Sequence, residues 1–298
     1  ELGGDVVIFA AAALVSAAQL WNNNNNNNNN SKINNNNNNN KTSGGSGEEL
    51  GQGWPGRSLG IFAVWIADCL YSFLVVPGEL FNDTTLQVIL KSALAPFGLG
   101  ASIPALFCAI FYGLGLWPAI YCSTLLPGAP GQALTAGPFV WSSFLFGAYG
   151  LSPYLALREL RGAGRAEPLS SLDFVTRELL ESKVTGVFLF ASGVFLAFYS
   201  AGNGVLGSFA PEEAFAALPP LIGASKFARL SVLDFFVLWA LFPPVLLEDG
   251  QRRGRFVRWT PGEAILFALC AGLPCLGGAL WLAVRPGLGT APPRGRNQ

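Results

Sequence analysis

Long apolar runs separated by short polar segments dominate this chain, and one run is exceptionally long. Between Lys91 and Arg158 lie 66 consecutive residues without a charged side chain. An α-helix crosses a bilayer in about 20 apolar residues, so this run is long enough for two crossings joined by an uncharged turn. We therefore predict an all-α fold, a polytopic transmembrane helical bundle with about six to seven spans.

The expected spans follow from the remaining runs. A first, short run is Val6–Trp21, and the others are 59–76, 103–126, 138–157, 184–201, 230–247 and 264–284. Pro243 and Pro244 are expected to kink or end the span in which they lie, because proline removes a helical hydrogen bond.

The polar segments divide the chain into six regions. They are an N-terminal apolar segment (1–21), an Asn-rich and Gly/Ser-rich low-complexity linker (22–58), transmembrane helices (59–157), a charged amphipathic loop (158–183), transmembrane helices (184–284) and a C-terminal tail (285–298). Polyasparagine buries no core and is typical of a linker. In the charged loop, Ser171 is expected to cap a short amphipathic helix. The basic segment 248–263 is expected to be a solvated loop that helps to set the topology.

Composition argues against several classes of function. Charged residues make up 12% of the chain, against about 25% in soluble domains, and the net charge is zero. The chain therefore lacks the excess of positive charge that is typical of nucleic-acid-binding proteins. The chain has no histidine, and its five cysteines lie in or beside apolar runs, so we expect no metal site. No phosphate-binding loop or nucleophile elbow occurs, and we expect no enzymatic activity.

Two carboxylates fall inside expected spans. An ionisable group at membrane depth is costly and is a functional candidate. The hydroxyls of Tyr71 and Ser72 follow Asp68 by about one turn on the same face, where they could satisfy it. Three roles are open for Asp68: a proton or ligand site, an interhelical hydrogen bond, or contact with a bound cofactor. Asp234 follows Lys226 and Arg229 near the start of an expected helix. Two interpretations are open: the helix dipole and one of these cations stabilise the carboxylate, or the carboxylate belongs to a proton relay.

The C-terminal half resembles a family of multi-pass plastid membrane proteins. The resemblance rests on FLFGAYGLSPYLALRE (144–159), LLESKVTGVFLFASGVFLAFYSAGNG (179–204), SKFARLSVLDFFVLWALFPP (225–244) and LPCLGGALWLAVRPGL (273–288). The family occurs in plants, algae and cyanobacteria and has no assigned chemistry. Its members often carry histidine where this chain has Arg229. The resemblance implies a multi-pass protein of a plastid, thylakoid-type membrane.

Together, these features lead us to expect a non-enzymatic accessory subunit of a photosynthetic complex, with photosystem I favoured over photosystem II. It would pack against core or antenna subunits and membrane lipids, with chlorophyll or carotenoid as candidate cofactors. Without histidine, a chlorophyll magnesium needs an oxygen ligand. The candidate cofactor-binding residues are Asp68, Glu79, Gln87 and Asn203.

The alternative is a small-molecule or ion transporter or channel. Asp68 and Asp234 would then line the path, with the Pro/Gly breaks as flexible points. Transport activity that disappears in Asp68→Asn would favour this interpretation. A membrane enzyme acting on isoprenoids is a weaker third interpretation, because its usual Asp-rich or His-rich clusters are missing.

Overall fold

The structure, a computed structural model, describes residues 54–80, 82–94, 103–160, 169–202, 209–257 and 259–288. The predicted N-terminal segment, most of the linker, Asn203 and the end of the C-terminal tail lie outside these ranges. Apart from one isolated bridge between Gly202 and Phe209, the regular structure in the described ranges is helical. The all-α prediction is therefore confirmed.

The described ranges contain nine α-helices. They are α1 (Trp54–Leu70), α2 (Asp83–Leu94), α3 (Ala105–Leu125), α4 (Ala136–Leu157), α5 (Lys183–Ser200), α6 (Pro211–Ala224), α7 (Lys226–Arg252), α8 (Pro261–Gly272) and α9 (Leu276–Val284). A π-helical turn, Tyr71–Val75, continues α1, and a second one, Val175–Leu180, precedes α5.

Four of the described helical segments are long and apolar enough to cross a membrane: Arg57–Val75, Ala105–Gly128, Lys183–Ser200 and Lys226–Arg252. In their most apolar stretches, α3 and α7 bury 61% and 56% of their residues, whereas the α1 and α5 segments bury 11% and 22%. The bundle therefore has α3 and α7 at its centre, with α1 and α5 outside. Of the two outcomes expected at Pro243 and Pro244, an end of the helix does not occur, because α7 continues through both prolines to Arg252.

The predicted span at 138–157 does not run straight, because α4 folds back on itself at Gly147. The rings of Phe139 and Tyr154 stack with centroids 5.7 Å apart, whereas 15 residues of straight helix cover about 22 Å. Gln132 and Glu159, which flank α4, exchange two hydrogen bonds of 2.8 and 2.9 Å. We call this helix hairpin 1.

The predicted span at 264–284 also reverses. Helix α8 ends at Gly272, and α9 begins after Cys275, whose backbone has a φ of 56°. Phe256 contacts rings on both limbs, Phe267 at 5.4 Å and Trp281 at 5.2 Å. We call α8 and α9 hairpin 2. The two expected crossings are thus two helical hairpins.

Both hairpins begin and end at the same end of the bundle. Arg158 follows hairpin 1 and pairs with Glu248 at 2.6 Å. Arg285 follows hairpin 2 and lies 3.4 Å from Asp249. Because Glu248 and Asp249 are adjacent in the last turns of α7, we call this end of the bundle the charged end. Helices α2 and α6 lie at the opposite end.

The order of elements repeats within the chain. The first half contains, in order, a long helix (α1), a short helix (α2), a long helix (α3), hairpin 1 and Arg158. The second half repeats this series as α5, α6, α7, hairpin 2 and Arg285. In both halves the first cation of the leading helix donates to the carbonyl of that arginine: Arg57 to Arg158 at 2.6 Å, and Lys183 to Arg285. The halves therefore run in the same direction.

Candidate functional site

The reversal of hairpin 1 is held by a carboxylate from the central helix α7. Oδ1 of Asp234 accepts a hydrogen bond from the backbone N–H of Ala148 at 2.6 Å. A helix that breaks leaves backbone N–H groups without partners, and Asp234 satisfies one of them. The sequence expectation that Asp234 pairs with Lys226 or Arg229 is wrong, because its recorded partner is the hairpin backbone.

Glycine is required at this reversal for two reasons. Gly147 has φ 51° and ψ −128°, a conformation that is strained for residues with a Cβ. A Cβ at Gly147 would also lie 1.7 Å from Oδ2 of Asp234. The hairpin backbone and the carboxylate therefore approach as closely as they do only because Gly147 has no side chain.

A second carboxylate lies beside the same reversal. The hydroxyl of Tyr149 donates to Oδ1 of Asp68 at 3.2 Å and lies 2.5 Å from Oγ of Ser72. The indole N–H of Trp65 donates to the carbonyl of Tyr149 at 3.2 Å. One face of α1 therefore holds the segment that follows Gly147.

The two carboxylates lie in the interior with little compensation of charge. Asp68 is 1% exposed and Asp234 is 8% exposed. Among the described residues, neither carboxylate forms an ion pair, and their recorded partners are N–H and O–H groups. A buried carboxylate without a cationic partner needs a proton or a bound cation to offset its charge. We call Asp68, Ser72, Gly147–Tyr149 and Asp234 the carboxylate site.

Hairpin 2 reverses beside Phe235, the residue of α7 that follows Asp234. Sγ of Cys275 donates to the carbonyl of Gly113 at 3.6 Å, and a Cβ at Gly113 would lie 2.6 Å from the ring of Phe235. One turn further along α7, Trp239 donates to the carbonyl of Ala271 at 2.8 Å. Both hairpin tips therefore adjoin the same stretch of α7.

At the charged end, a buried network of ions ties hairpin 2 to the bundle. Arg253 donates to Asp249 at 2.9 Å and to both oxygens of Glu181 at 2.7 and 2.8 Å. Arg285 lies 3.1 Å from Glu181, and Trp281 donates to Asp249 at 2.7 Å. Burial alone would lower the pKa of Arg253, but Asp249 and Glu181 outweigh it and raise this pKa above its ordinary value. The Arg253 guanidinium therefore stays charged.

The structure gives the candidate cofactor-binding residues different surroundings. Asp68 belongs to the carboxylate site, Glu79 lines a cavity at the opposite end of the bundle, and Gln87 is exposed on α2. Asn203 lies outside the described residues. No group of three or more His, Cys, Asp and Glu side chains in the described ranges is arranged to hold a metal ion.

Sequence reasoning missed Tyr149, Gly147 and the buried network of ions. Tyr149 lies 81 residues from Asp68, so no local pattern connects them. The network had a visible signal, since Glu248, Asp249, Arg252 and Arg253 stand together immediately after an apolar run. The expectation of a solvated loop is wrong for these four residues, because they lie buried in and directly after the last turns of α7.

Comparison with known proteins yields no relative. No protein-family model matches the chain, and neither a curated protein nor a solved structure is recognisably similar to it.

Proposed function

We propose that this protein is a polytopic membrane protein that carries out proton-linked transport through the carboxylate site. The observation that carries the proposal is the reversal of hairpin 1 between Asp68 and Asp234, two buried carboxylates without ion-pair partners among the described residues. Ionisable residues inside membrane segments typically belong to proton relays or ion pathways.

The two hairpins support a transport role. Backbone that leaves the helical conformation at membrane depth is tolerated where protein buries it or where it lines a water-filled path. Broken helices that meet near the middle of the bilayer form the substrate and ion sites of many transporters. In this bundle both hairpins would enter from the charged end and reverse beside α7.

The distribution of charge supports an orientation. Eight described cations lie at the charged end: Arg57, Arg158, Arg177, Lys183, Arg252, Arg253, Arg255 and Arg285. The opposite end has three described cations: Lys91, Lys226 and Arg229. By the positive-inside rule, the charged end faces the cytosol-equivalent side of the membrane.

The proposed mechanism couples a proton to the position of the tip of hairpin 1. A charged carboxylate accepts a hydrogen bond more strongly than a neutral one, so ionised Asp234 holds the N–H of Ala148. Protonation of Asp234 weakens this bond and releases the tip. The carboxylate of Asp68 provides a second station for the proton, and the hydroxyls of Tyr149 and Ser72, which are linked to it, relay the proton.

Proton flux in reconstituted vesicles tests this function. We expect purified protein to dissipate an imposed pH gradient, and we expect Asp234→Asn to reduce the rate at least tenfold while the protein remains monodisperse. Glu212→Gln, which changes an exposed carboxylate on α6, is the matched control and is expected to keep the wild-type rate. Equal rates for wild type, Asp234→Asn and empty vesicles would contradict the proposal.

A second candidate function is the non-enzymatic accessory subunit of a photosynthetic membrane complex, with photosystem I favoured. It draws on the resemblance to plastid membrane proteins and on one structural observation. Trp141 and Phe144 stack at 5.6 Å on the outer face of hairpin 1, and Trp141 is 65% exposed. A flat aromatic surface of this kind suits chlorophyll, carotenoid or a neighbouring helix.

Absorption spectra and native gels test this second function. A photosystem subunit migrates with the photosystem in mildly solubilised thylakoid membranes and retains pigment, and Trp141→Ala lowers the pigment content. Migration as a small, colourless species would contradict it. Proton flux and co-migration are independent readouts, so the two candidates are separable.

A further inference from the structure

A polar cavity lies at the end of the bundle opposite the charged end. Its volume is about 240 Å³, and it is bounded by the turn after α1, the start of α2, the end of α6 and the start of α7. Its polar lining residues are Glu79, Asn82, Thr84, Thr85, Ser225, Lys226 and Arg229. The cavity is separate from the carboxylate site and shares none of its residues.

The cavity concentrates positive charge where cations are scarce. Lys226 and Arg229 are one helical turn apart and half-buried, and both line it. They are two of the three described cations at this end of the bundle, and Lys91 is the third. Among the described residues, Glu79 is the one carboxylate that lines the cavity, so the described lining has a formal charge of +1.

Neither cation forms an ion pair in the part of the chain that the structure describes. Arg229 donates from Nε to the carbonyl of Ile222 at 3.4 Å, which leaves its two terminal nitrogens without a recorded partner. Lys226 has no recorded side-chain partner. The turn at Gly78 packs over the stem of Lys226, since a Cβ on Gly78 would lie 3.7 Å from Cβ of Lys226. Although Glu79 lines the same cavity, neither charged group forms an ion pair with a carboxylate of the described residues.

Neutral donors add to the two cations. Oγ of Ser225 accepts from the N–H of Ala228, so this cap leaves the first N–H groups of α7 directed toward the same end of the bundle. Thr84, at the start of α2, also lines the cavity and carries a hydroxyl. Lysine, arginine, hydroxyl and backbone N–H groups are together the donors that proteins use for phosphate.

The geometry points to a binding site for a phosphate group in this cavity, between Lys226, Arg229 and Thr84. A phosphate could come from an anionic lipid headgroup or from free phosphate. The surroundings favour a lipid, because the exposed apolar side chains of Phe73, Leu74 and Val75 immediately precede the turn at the cavity. Acyl chains would lie along this face while the headgroup occupies the cavity.

Native mass spectrometry of protein from nanodiscs tests the site. Wild type is expected to retain phosphatidylglycerol at least tenfold more than the Lys226→Gln/Arg229→Gln double variant, and Lys91→Gln is the matched control that retains it like wild type. A charge-preserving Lys226→Arg/Arg229→Lys variant, which separates loss of charge from loss of fold, is expected to retain most of the lipid.

Two further arms identify the source of the phosphate. A lipid site prefers phosphatidylglycerol over phosphatidylcholine, and inorganic phosphate at millimolar concentration does not displace the lipid. Thermal stabilisation by inorganic phosphate alone, lost in the double variant, would keep the phosphate site and assign it to the free ion. Equal lipid retention and equal response to phosphate in wild type and in a folded double variant would overturn the inference.

Discussion

Oδ1 of Asp234 lies 2.6 Å from the backbone nitrogen of Ala148, and this contact joins the central helix of the bundle to the point where hairpin 1 reverses. The acceptor is a carboxylate in the interior of an apolar bundle, and the donor is an N–H group that a continuous helix would have satisfied internally. Fold and proposed chemistry therefore depend on the same hydrogen bond.

Substitution of Gly147 by alanine is expected to disrupt hairpin 1. The new Cβ would meet the carboxylate of Asp234 and would hold a strained backbone conformation. We expect a loss on the order of 3 kcal/mol or more in the free energy of unfolding, measured by thermal or denaturant unfolding in detergent. Gly137→Ala is the control, because a Cβ at Gly137 would have no atom within 4 Å, and it should change stability by less than about 1 kcal/mol. Equal stability of the two variants would refute the tight reversal.

Removal of the Tyr149 hydroxyl is expected to affect proton flux more than folding. Tyr149→Phe keeps the ring but breaks the links to Asp68 and Ser72. We expect a loss of about 1 kcal/mol of stability and a severalfold lower flux in reconstituted vesicles. Ser142→Ala serves as the control, since Ser142 bonds only locally, to the carbonyl of Phe139. A wild-type flux in Tyr149→Phe would remove this hydroxyl from the proposed route.

Neutralisation of Asp249 is expected to be strongly destabilising. Asp249→Asn leaves Arg253 and Arg285 buried with one carboxylate, Glu181, between them. Breaking a buried ion pair costs about 3–5 kcal/mol, and unfolding in denaturant measures the change. The exposed pair of Arg177 and Glu178 supplies the contrast, since Glu178→Gln should cost less than about 1 kcal/mol. Similar losses of unfolding free energy in Asp249→Asn and Glu178→Gln would mean that solvent reaches the network of ions.

The two arginines that follow the hairpins are expected to act separately. Arg158 pairs with Glu248 after hairpin 1, and Arg285 contacts Asp249 after hairpin 2. Hydrogen exchange followed by mass spectrometry should show faster exchange in 136–157 for Arg158→Gln and in 261–284 for Arg285→Gln. Each variant is the control for the other. Faster exchange in both hairpins for either variant would contradict the separate anchoring that the repeated architecture implies.

The sequence predicted the four long helices, because each contains a continuous apolar run of sufficient length, but the expected span at 230–247 stops four and five residues short of the ends of Lys226–Arg252. The expected spans at 184–201 and 103–126 differ from Lys183–Ser200 and Ala105–Gly128 by one or two residues at each end. The two reversals escaped prediction for a physical reason. A hairpin of two apolar limbs has the same composition and length as one crossing, and only a backbone conformation at Gly147 or Cys275 separates the alternatives.

The carboxylate site was predicted only in part. Asp68 and Asp234 are recognisable as acids in apolar runs, but the hydroxyl that bonds Asp68 is that of Tyr149 and not, as expected, that of Tyr71 or Ser72. Their connection through Ala148 and Tyr149 depends on tertiary packing between α1, hairpin 1 and α7, over separations of 81 and 86 residues. The local sequence favoured a pairing of Asp234 with Lys226. Packing of hairpin 1 against α7 instead gives Asp234 the N–H of Ala148 as its partner.

The central claim is that protonation of Asp234 releases the tip of hairpin 1. Hydrogen exchange in peptides that cover 144–152, corrected for the intrinsic pH dependence of amide exchange, measures it most directly. We predict that exchange in the wild type accelerates as the pH is lowered, and that Asp234→Asn exchanges fast at every pH, because the neutral amide resembles the protonated acid. Exchange in the wild type that is independent of pH and equal to that of Asp234→Asn would contradict the account.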